Sequence, residues 1–256
     1  MKIVTCYKIV RDERDFVVAP DRTVALDGCA LRIGDYDLEA VEAGVQLAAS
    51  TGGSAVCLTV GGDEVRDSKL RKGVLSRGPD SMVSVVDSSL SMADAGTTAR
   101  VLASALEREG FELAICGEGS SDRYSQQVGA QVAARLGVPY VNAVSRVSAE
   151  GSVLVVERTL EDEVETLEVT LPAVISITSD AYPPRIPSMK DILGAGKKPV
   201  TRLSLADLGV ELGASEVAAE PERAPEATPR AGVMYEAGQA GEFFSAVRQL
   251  MGKATK

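Results

Sequence analysis

"ICGEGSSDRYSQQVGAQVAARLG", residues 115–137, begins as a buried apolar strand, breaks into glycines, hydroxyls and amides, and runs into a helix ended by glycine. That order of signals, strand then short polar turn then helix, is the unit from which a parallel sheet with covering helices is built. The turn also gathers free backbone N–H groups at a helix N-terminus, an arrangement that suits an anion such as phosphate. It matches neither the G-x-x-x-x-G-K-[ST] loop nor the G-x-G-x-x-G loop. On its own it reads equally as a ligand site or as an ordinary solvated connection.

Upstream, the same grammar repeats. The runs 2–10, 54–60, 81–86 and 111–116 are short and apolar, as strands buried on both faces are. Helical spacing separates them. Residues 36–49 place Leu38, Val41, Val45 and Ala48 on one face, with Asp35 or Asp37 as N-cap. Residues 94–109 align Val101, Leu102, Ala105 and Leu106 and stop at Gly110, and residues 123–136 align Val128, Val132 and Leu136. The expected fold is α/β: a three-layer, mostly parallel sheet with helices on both faces.

Downstream, the period changes to two. Residues 151–160 and 164–171 alternate around the acidic turn Glu161–Glu163, which predicts a β-hairpin over 151–171, and 172–178 reads as a further buried strand. The stretch "SDAYPPRIPSMKDILGAGKKPV" (179–200) carries three closely spaced prolines and predicts a shaped surface loop, with Lys197–Lys198 placed to cap a helix end. Residues 213–232 have a linker composition of Ala, Glu and Pro. After them, 240–253 predicts an amphipathic helix with Phe243, Phe244, Val247, Leu250 and Met251 on its apolar side. The organisation expected is an α/β domain over 1–212 and an arm over 213–256.

Composition removes whole classes of function. A net charge of −10 argues against nucleic acid or an anionic membrane as partner. With no histidine, a Ser-His-Asp triad and a His-ligated zinc site are excluded, so chemistry here would be a cofactor's. Cys6, Cys29, Cys57 and Cys116 form no C-x-x-C pair, which suits reduced thiols in the cytoplasm. The first residues are too polar for a signal peptide, and no apolar run is long enough to insert in a membrane.

Several spaced motifs carry a resemblance. In the run from Val156 to Ser176, Arg158, Glu161, Asp162, Glu163, Glu165, Leu167, Pro172 and Ser176 are similar to the signature of electron-transfer flavoprotein β subunits. "CYKIVRDE" (6–13) resembles that family's Lys-x-Val-x-Asp opening, "VLSRGPD" (74–80) its helix-to-strand junction, and "PRIPSMKDILGAGKKPV" (184–200) its partner-recognition loop. The likeness extends from residue 1 to about 210 and returns at 229–233, and the loops look closest to the FixA branch.

The resemblance implies a heterodimer with a FixB-like α subunit that supplies most contacts to a shared FAD. It implies an electron carrier rather than a classical enzyme, with electron bifurcation as a further possibility of the branch. The β chain would hold a second nucleotide, AMP or FAD, against Cys6, Gly34, Asp35, Tyr36, Asp37, Val60, Gly61, Gly117, Gly119, Ser121, Asp122, Tyr124, Ser125, Gln126, Gln127, Val128 and Gly129. Tyr36 would lie near the flavin held mainly by the α subunit. "QVGAQVA" (127–133) resembles bifurcating members and favours FAD, although Arg123 and Tyr124 stand where those members carry small or acidic residues. Arg185, Ile186, Pro187 and Met189 would meet a partner such as an acyl-CoA dehydrogenase or a quinone-linked oxidoreductase, and the arm would pack on the α subunit.

Two other classes share a layered nucleotide-binding fold. A universal-stress-type sensor would need a Gly-x-x-Gly-x(9)-Gly-Ser/Thr loop, and an ATP-pyrophosphatase a Ser-Gly-Gly-x-Asp-Ser loop after the first strand, where "CYKIVRDE" stands instead.

Overall fold

The computed structural model describes residues 1–151, 153–213, 217, 223–227, 229 and 232–254. The chain forms two compact units: Met1–Val17 with Ala25–Glu220, and Val18–Val24 with Pro221–Lys256.

The first unit is built on a nine-stranded sheet. In chain order its strands are β1 (Lys2–Cys6), β6 (Ser54–Gly61), β7 (Ser81–Val86), β8 (Leu113–Gly117), β9 (Tyr140–Glu150), β10 (Val153–Thr159), β11 (Val164–Thr170), β12 (Ala173–Ile177) and β13 (Val200–Leu203). Their spatial order is β11-β10-β9-β12-β8-β1-β6-β7-β13. The six strands from β12 to β13 run parallel, and β9 continues the parallel set beside β12. Only the β9–β10–β11 end is antiparallel. Two-stranded ribbons pair β2 (Ile9–Arg11) with β5 (Leu31–Ile33) and β3 (Val17–Val18) with β4 (Val24–Ala25).

Helices cover both faces. Alternate residues of β1, β6, β7 and β8 pack with α3 (Ala95–Glu109) and α4 (Val128–Leu136) in one core cluster, which includes Val4, Leu58, Val85, Leu102, Leu106 and Val132. The opposite residues pack with α1 (Asp35–Thr51) and α2 (Ser68–Leu75) in two further clusters around Ile3, Leu47 and Ile115, and around Tyr7, Val41, Cys57 and Leu75. The three-layer reading therefore holds.

Local chemistry sets the ends. Asp94 accepts the Thr97 N–H at 2.7 Å to start α3, and Gly52 (φ 62°) and Gly137 (φ 65°) close α1 and α4 in the left-handed conformation that lacks a Cβ penalty. Across the hairpin turn Leu160 N–H donates to the Glu163 carbonyl at 2.8 Å.

Four details differ from the sequence reading. The run 2–10 is two strands, because β2 leaves the sheet after Tyr7–Lys8 to pair with β5. The N-cap of α1 is Gly34, without a side-chain cap bond, since Asp35 and Asp37 lie inside the first turn. Helix α4 starts at Val128 rather than 123, because Tyr124 (φ 45°) and Gln126 (φ 56°) are left-handed. The segment 179–200 is not loop throughout. Helix α5 (Met189–Ala195) begins just after Pro187, nucleated by Ser188 and Asp191, which cap each other's N–H groups.

In the second unit, Ala224 N–H donates to the Arg22 carbonyl at 2.8 Å beside a Thr23–Arg223 bridge. Helix α6 (Ala240–Ala254) carries the expected apolar side chains, with Phe243 edge-on to Tyr235 and to Phe244. Of the expected linker 213–232, residues 214–216, 218–222, 228, 230 and 231 lie outside the described residues. Among the described residues, no helix is long and apolar enough to cross a membrane.

Helix α1 packs closely on the sheet at Gly44. A Cβ on Gly44 would sit 2.5 Å from Thr5 Oγ1 and 3.5 Å from the Ile3 side chain. Replacing a helical glycine ordinarily gains helix propensity, yet here the added atoms overpack the core. Gly44→Val is expected to cost about 1–3 kcal/mol, measured as a fall in the urea midpoint without a change in slope.

Candidate functional site

From β1 the chain proceeds through β6 to β7 on one side, while β8, β12 and β9 lie on the other. The strand order thus reverses between β1 and β8. Loops diverge at such a point beyond the carboxyl ends of the strands, and they leave a crevice for a ligand. Here the crevice lies between the Tyr7–Lys8 connection and the loop 118–127.

One carboxylate joins its walls. Asp37, in the first turn of α1, is buried and accepts the Lys8 N–H at 2.7 Å, with the Gly117 N–H as a second backbone donor. Burial pushes its pKa up to about 7, against the pull of those two donors. Above it, the Lys8 ammonium grips both oxygens of Asp122 at 2.8 and 2.6 Å. Burial works against the Asp122 charge, but the Lys8 ammonium, the Ser120 hydroxyl and the Arg123 N–H together hold the carboxyl below its ordinary value. Asp35, one residue before Tyr36, turns outward to pair with Arg32.

The floor is glycine. A Cβ on Gly34 would lie 2.8 Å from Asp37 Oδ2, and one on Gly117 would lie 2.8 Å from Asp37 Oδ1 and 2.9 Å from Tyr36 Cβ. On Gly119 it would lie 2.5 Å from the Tyr124 ring, and on Gly129 2.8 Å from Ser176 Oγ. At these positions the lack of a Cβ lets the backbone lie against the chain's own Asp37, Tyr36, Tyr124 and Ser176. Ser121 Oγ lies 3.6 Å from that Gly34 position, and it is buried with no hydrogen-bond partner. Such an orphan needs a partner, and a ligand hydroxyl or phosphate oxygen supplies one.

Beyond Ser121, the chain kinks through Tyr124 and Gln126 and enters α4 with Gln127 as N-cap. The first-turn N–H groups of Val128, Gly129 and Ala130 face this kink, as donors that a helix leaves without intrahelical carbonyls. Gly129 is buried over Ser176, whose hydroxyl shares a 2.9 Å hydrogen bond with Tyr140. Cys6 ends β1 beside the crevice; a hydrogen bond with Cys116, aided by burial, raises its thiol well above the usual range and keeps it protonated. The donors are hydroxyls, amides, backbone N–H groups and the Lys8 ammonium, a set that fits the phosphates of a nucleotide, and Asp37 and Asp122 stand among them as carboxyl groups.

The structure therefore brings Cys6, Gly34, Asp37, Gly117, Gly119, Ser121 and Asp122 to one crevice, with Tyr36 and Tyr124 above it and Gln127–Gly129 at its far end. Ser125 and Gln126 are exposed on the kink. Val60 and Gly61 end the neighbouring strand β6, where Gly61 packs on its own loop at Glu64 and Val65. Lys8, the lysine of the opening motif, and Glu118 join these residues through Asp122 and Tyr124.

The second candidate region is the α5 segment. Ile186 is 95% exposed, Met189 71% and Leu193 71%. Arg185 points the other way: its guanidinium forks onto Glu42 of α1 at 2.7 and 2.8 Å. Burial disfavours the Glu42 charge, but Arg185 holds the carboxyl below its ordinary value. Lys198 donates to the carbonyls of Leu75, the last residue of α2, at 2.8 Å and Pro79 at 2.5 Å.

Against models of known families, residues 23–208 match the one described as the electron transfer flavoprotein domain. A match over most of the chain does not favour the universal-stress alternative.

Asp37 gives the site a pH signature. Its native pKa of about 7 exceeds the ordinary 3.8, so between those values the folded chain binds more protons than the unfolded one. The contribution of Asp37 to stability is then greatest at low pH and falls by about 1.4 kcal/mol per pH unit through this window, levelling off above about 7. Urea unfolding of the wild type and Asp37→Asn at pH 5, 6 and 7 is expected to show the wild type losing ground as pH rises. A constant difference would rule out the raised pKa.

Proposed function

The chain belongs to the electron transfer flavoprotein domain family, and from that premise we propose that it is the β subunit of a heterodimeric electron-transfer flavoprotein, nearest the FixA branch. It would carry electrons between a donor, NADH or a flavoprotein dehydrogenase, and an acceptor. The observation that carries this reading is the buried, unpartnered Ser121 hydroxyl at the point of strand reversal between β1 and β8, where a ligand oxygen would satisfy it.

When bound, a flavin supplies the electron storage that no side chain of this chain provides. The chain's own residues bind and orient. Ser121 and Gln127 would offer neutral hydrogen bonds to a pyrophosphate, and the start of α4 would complement its charge. We favour FAD over AMP as the nucleotide held here, on the likeness of residues 127–133 to bifurcating members. Residues 213–256 would form the arm that packs on a FixB-like α subunit. The apolar side of α6, where Phe244 is 62% exposed and Leu250 68%, supports that role. Ile186, Met189 and Leu193 would meet the redox partner, an acyl-CoA dehydrogenase or a quinone-linked oxidoreductase. The setting proposed is cytoplasmic.

Two measurements test this. Denaturing the purified heterodimer is expected to release two flavins, and Gly129→Glu to remove one, because its side chain meets Ser176 and Tyr140 and sets a carboxylate at the start of α4. One flavin with AMP would instead place the chain among members that hold AMP. Met189→Ala is expected to raise the partner concentration needed for half-maximal electron transfer by about tenfold, as removal of a buried anchor does, while bound flavin stays unchanged. Lost flavin or unaltered transfer would refute the anchor.

A further inference from the structure

Tyr124 occupies a place that its backbone resists. A bulky residue at φ 45° is an outlier, and such strain persists only where the surroundings over-determine it. Here they do so from three sides. The phenol donates to Glu118, a hydrogen bond that pushes the Tyr124 pKa up to about 12 and so keeps the hydroxyl protonated. The ring stands 5.3 Å from that of Tyr36, tilted by 42°. Its inner edge covers Gly119, where any Cβ would be only 2.5 Å away. Tyr36 likewise stands over Gly117. The Tyr124 ring thus lies over Gly119 and against the Tyr36 ring, in the loop that carries the unpartnered Ser121 hydroxyl.

Simple packing does not account for this. Tyr124 remains 45% exposed, so its ring gains little by burial and still holds a disfavoured backbone. A braced, half-exposed aromatic ring in the loop that carries the unpartnered Ser121 hydroxyl is a platform for a flat π-system.

We propose that Tyr124, braced by Glu118 and Tyr36, is a specificity-determining residue that stacks on the aromatic ring of the bound nucleotide. The site would then select base or flavin as well as phosphate. The inference rests on the nucleotide reading above and adds to it a contact with a ring rather than with phosphate.

The test is calorimetric titration of the full chain, dialysed free of nucleotide, with AMP, FAD and inorganic pyrophosphate as probes. In Tyr124→Ala, affinity for AMP or FAD is expected to fall about tenfold or more, equivalent to about 1.4 kcal/mol, with pyrophosphate affinity unchanged. Tyr124→Phe keeps the ring and is expected to stay within about threefold of wild type. Equal losses for pyrophosphate and AMP would mean that the residue shapes the loop only, and would overturn the proposal. So would an unaltered AMP and FAD affinity in Tyr124→Ala. A wild-type chain that binds neither AMP nor FAD would instead refute the nucleotide reading itself.

Discussion

The Asp37 carboxylate takes the Lys8 N–H on one side and the Gly117 N–H on the other. It thereby fastens the end of β1, the first turn of α1 and the end of β8 at one buried point. Without such a tie, the point of strand reversal would be a place where two loops merely diverge. With it, the crevice keeps a fixed width and its glycine floor has a reason. Gly34 and Gly117 stand where a Cβ would strike this carboxylate. Burial makes the tie costly, and the cost appears as the raised pKa.

Helix α1 extends that constraint across the molecule. Its first turn carries Asp37; Glu39, two residues on, accepts the Ala181 N–H at 3.1 Å, and Glu42, five residues on, takes the fork of Arg185. One rigid element therefore sets both the crevice and the root of the α5 segment. Arg185, expected at the partner surface, is exposed and also braces that surface through Glu42. The side chains left outward are Ile186, Met189 and Leu193.

The parallel strands were legible because burial on both faces leaves an apolar run, and α1 and α3 because their apolar spacing survives to the cap. What could not be read is what period does not encode. Residues 123–127 continue a helical pattern, yet two left-handed residues delay α4 to Val128. Strand β9 escaped because only scattered positions of Tyr140–Glu150 are buried. The prolines obscured α5, although Ser188 and Asp191 stood in capping-box spacing just beyond them. At the site, the glycine-rich loop announced itself. The ties that give it shape, Lys8 to Asp122 and Arg185 to Glu42, join residues 114 and 143 positions apart, and no local pattern reports such pairs.

The two apolar surfaces differ in how they are held, and that difference matters for an electron carrier. The α5 segment is stapled at both ends, by Arg185 on Glu42 and by Lys198 on the last turn of α2, and a capping box starts its helix. A surface ordered in advance loses little entropy on docking, so a modest contact suffices and can be released quickly. That suits a partner met once per transfer. Helix α6 follows a stretch of linker composition and carries Phe243, Phe244 and Leu250 largely exposed. An apolar face of that kind gains from permanent cover, and leaving it open risks self-association. In the proposed reading, each surface therefore has its own partner: the stapled one exchanges dehydrogenases, and α6 stays with the α subunit.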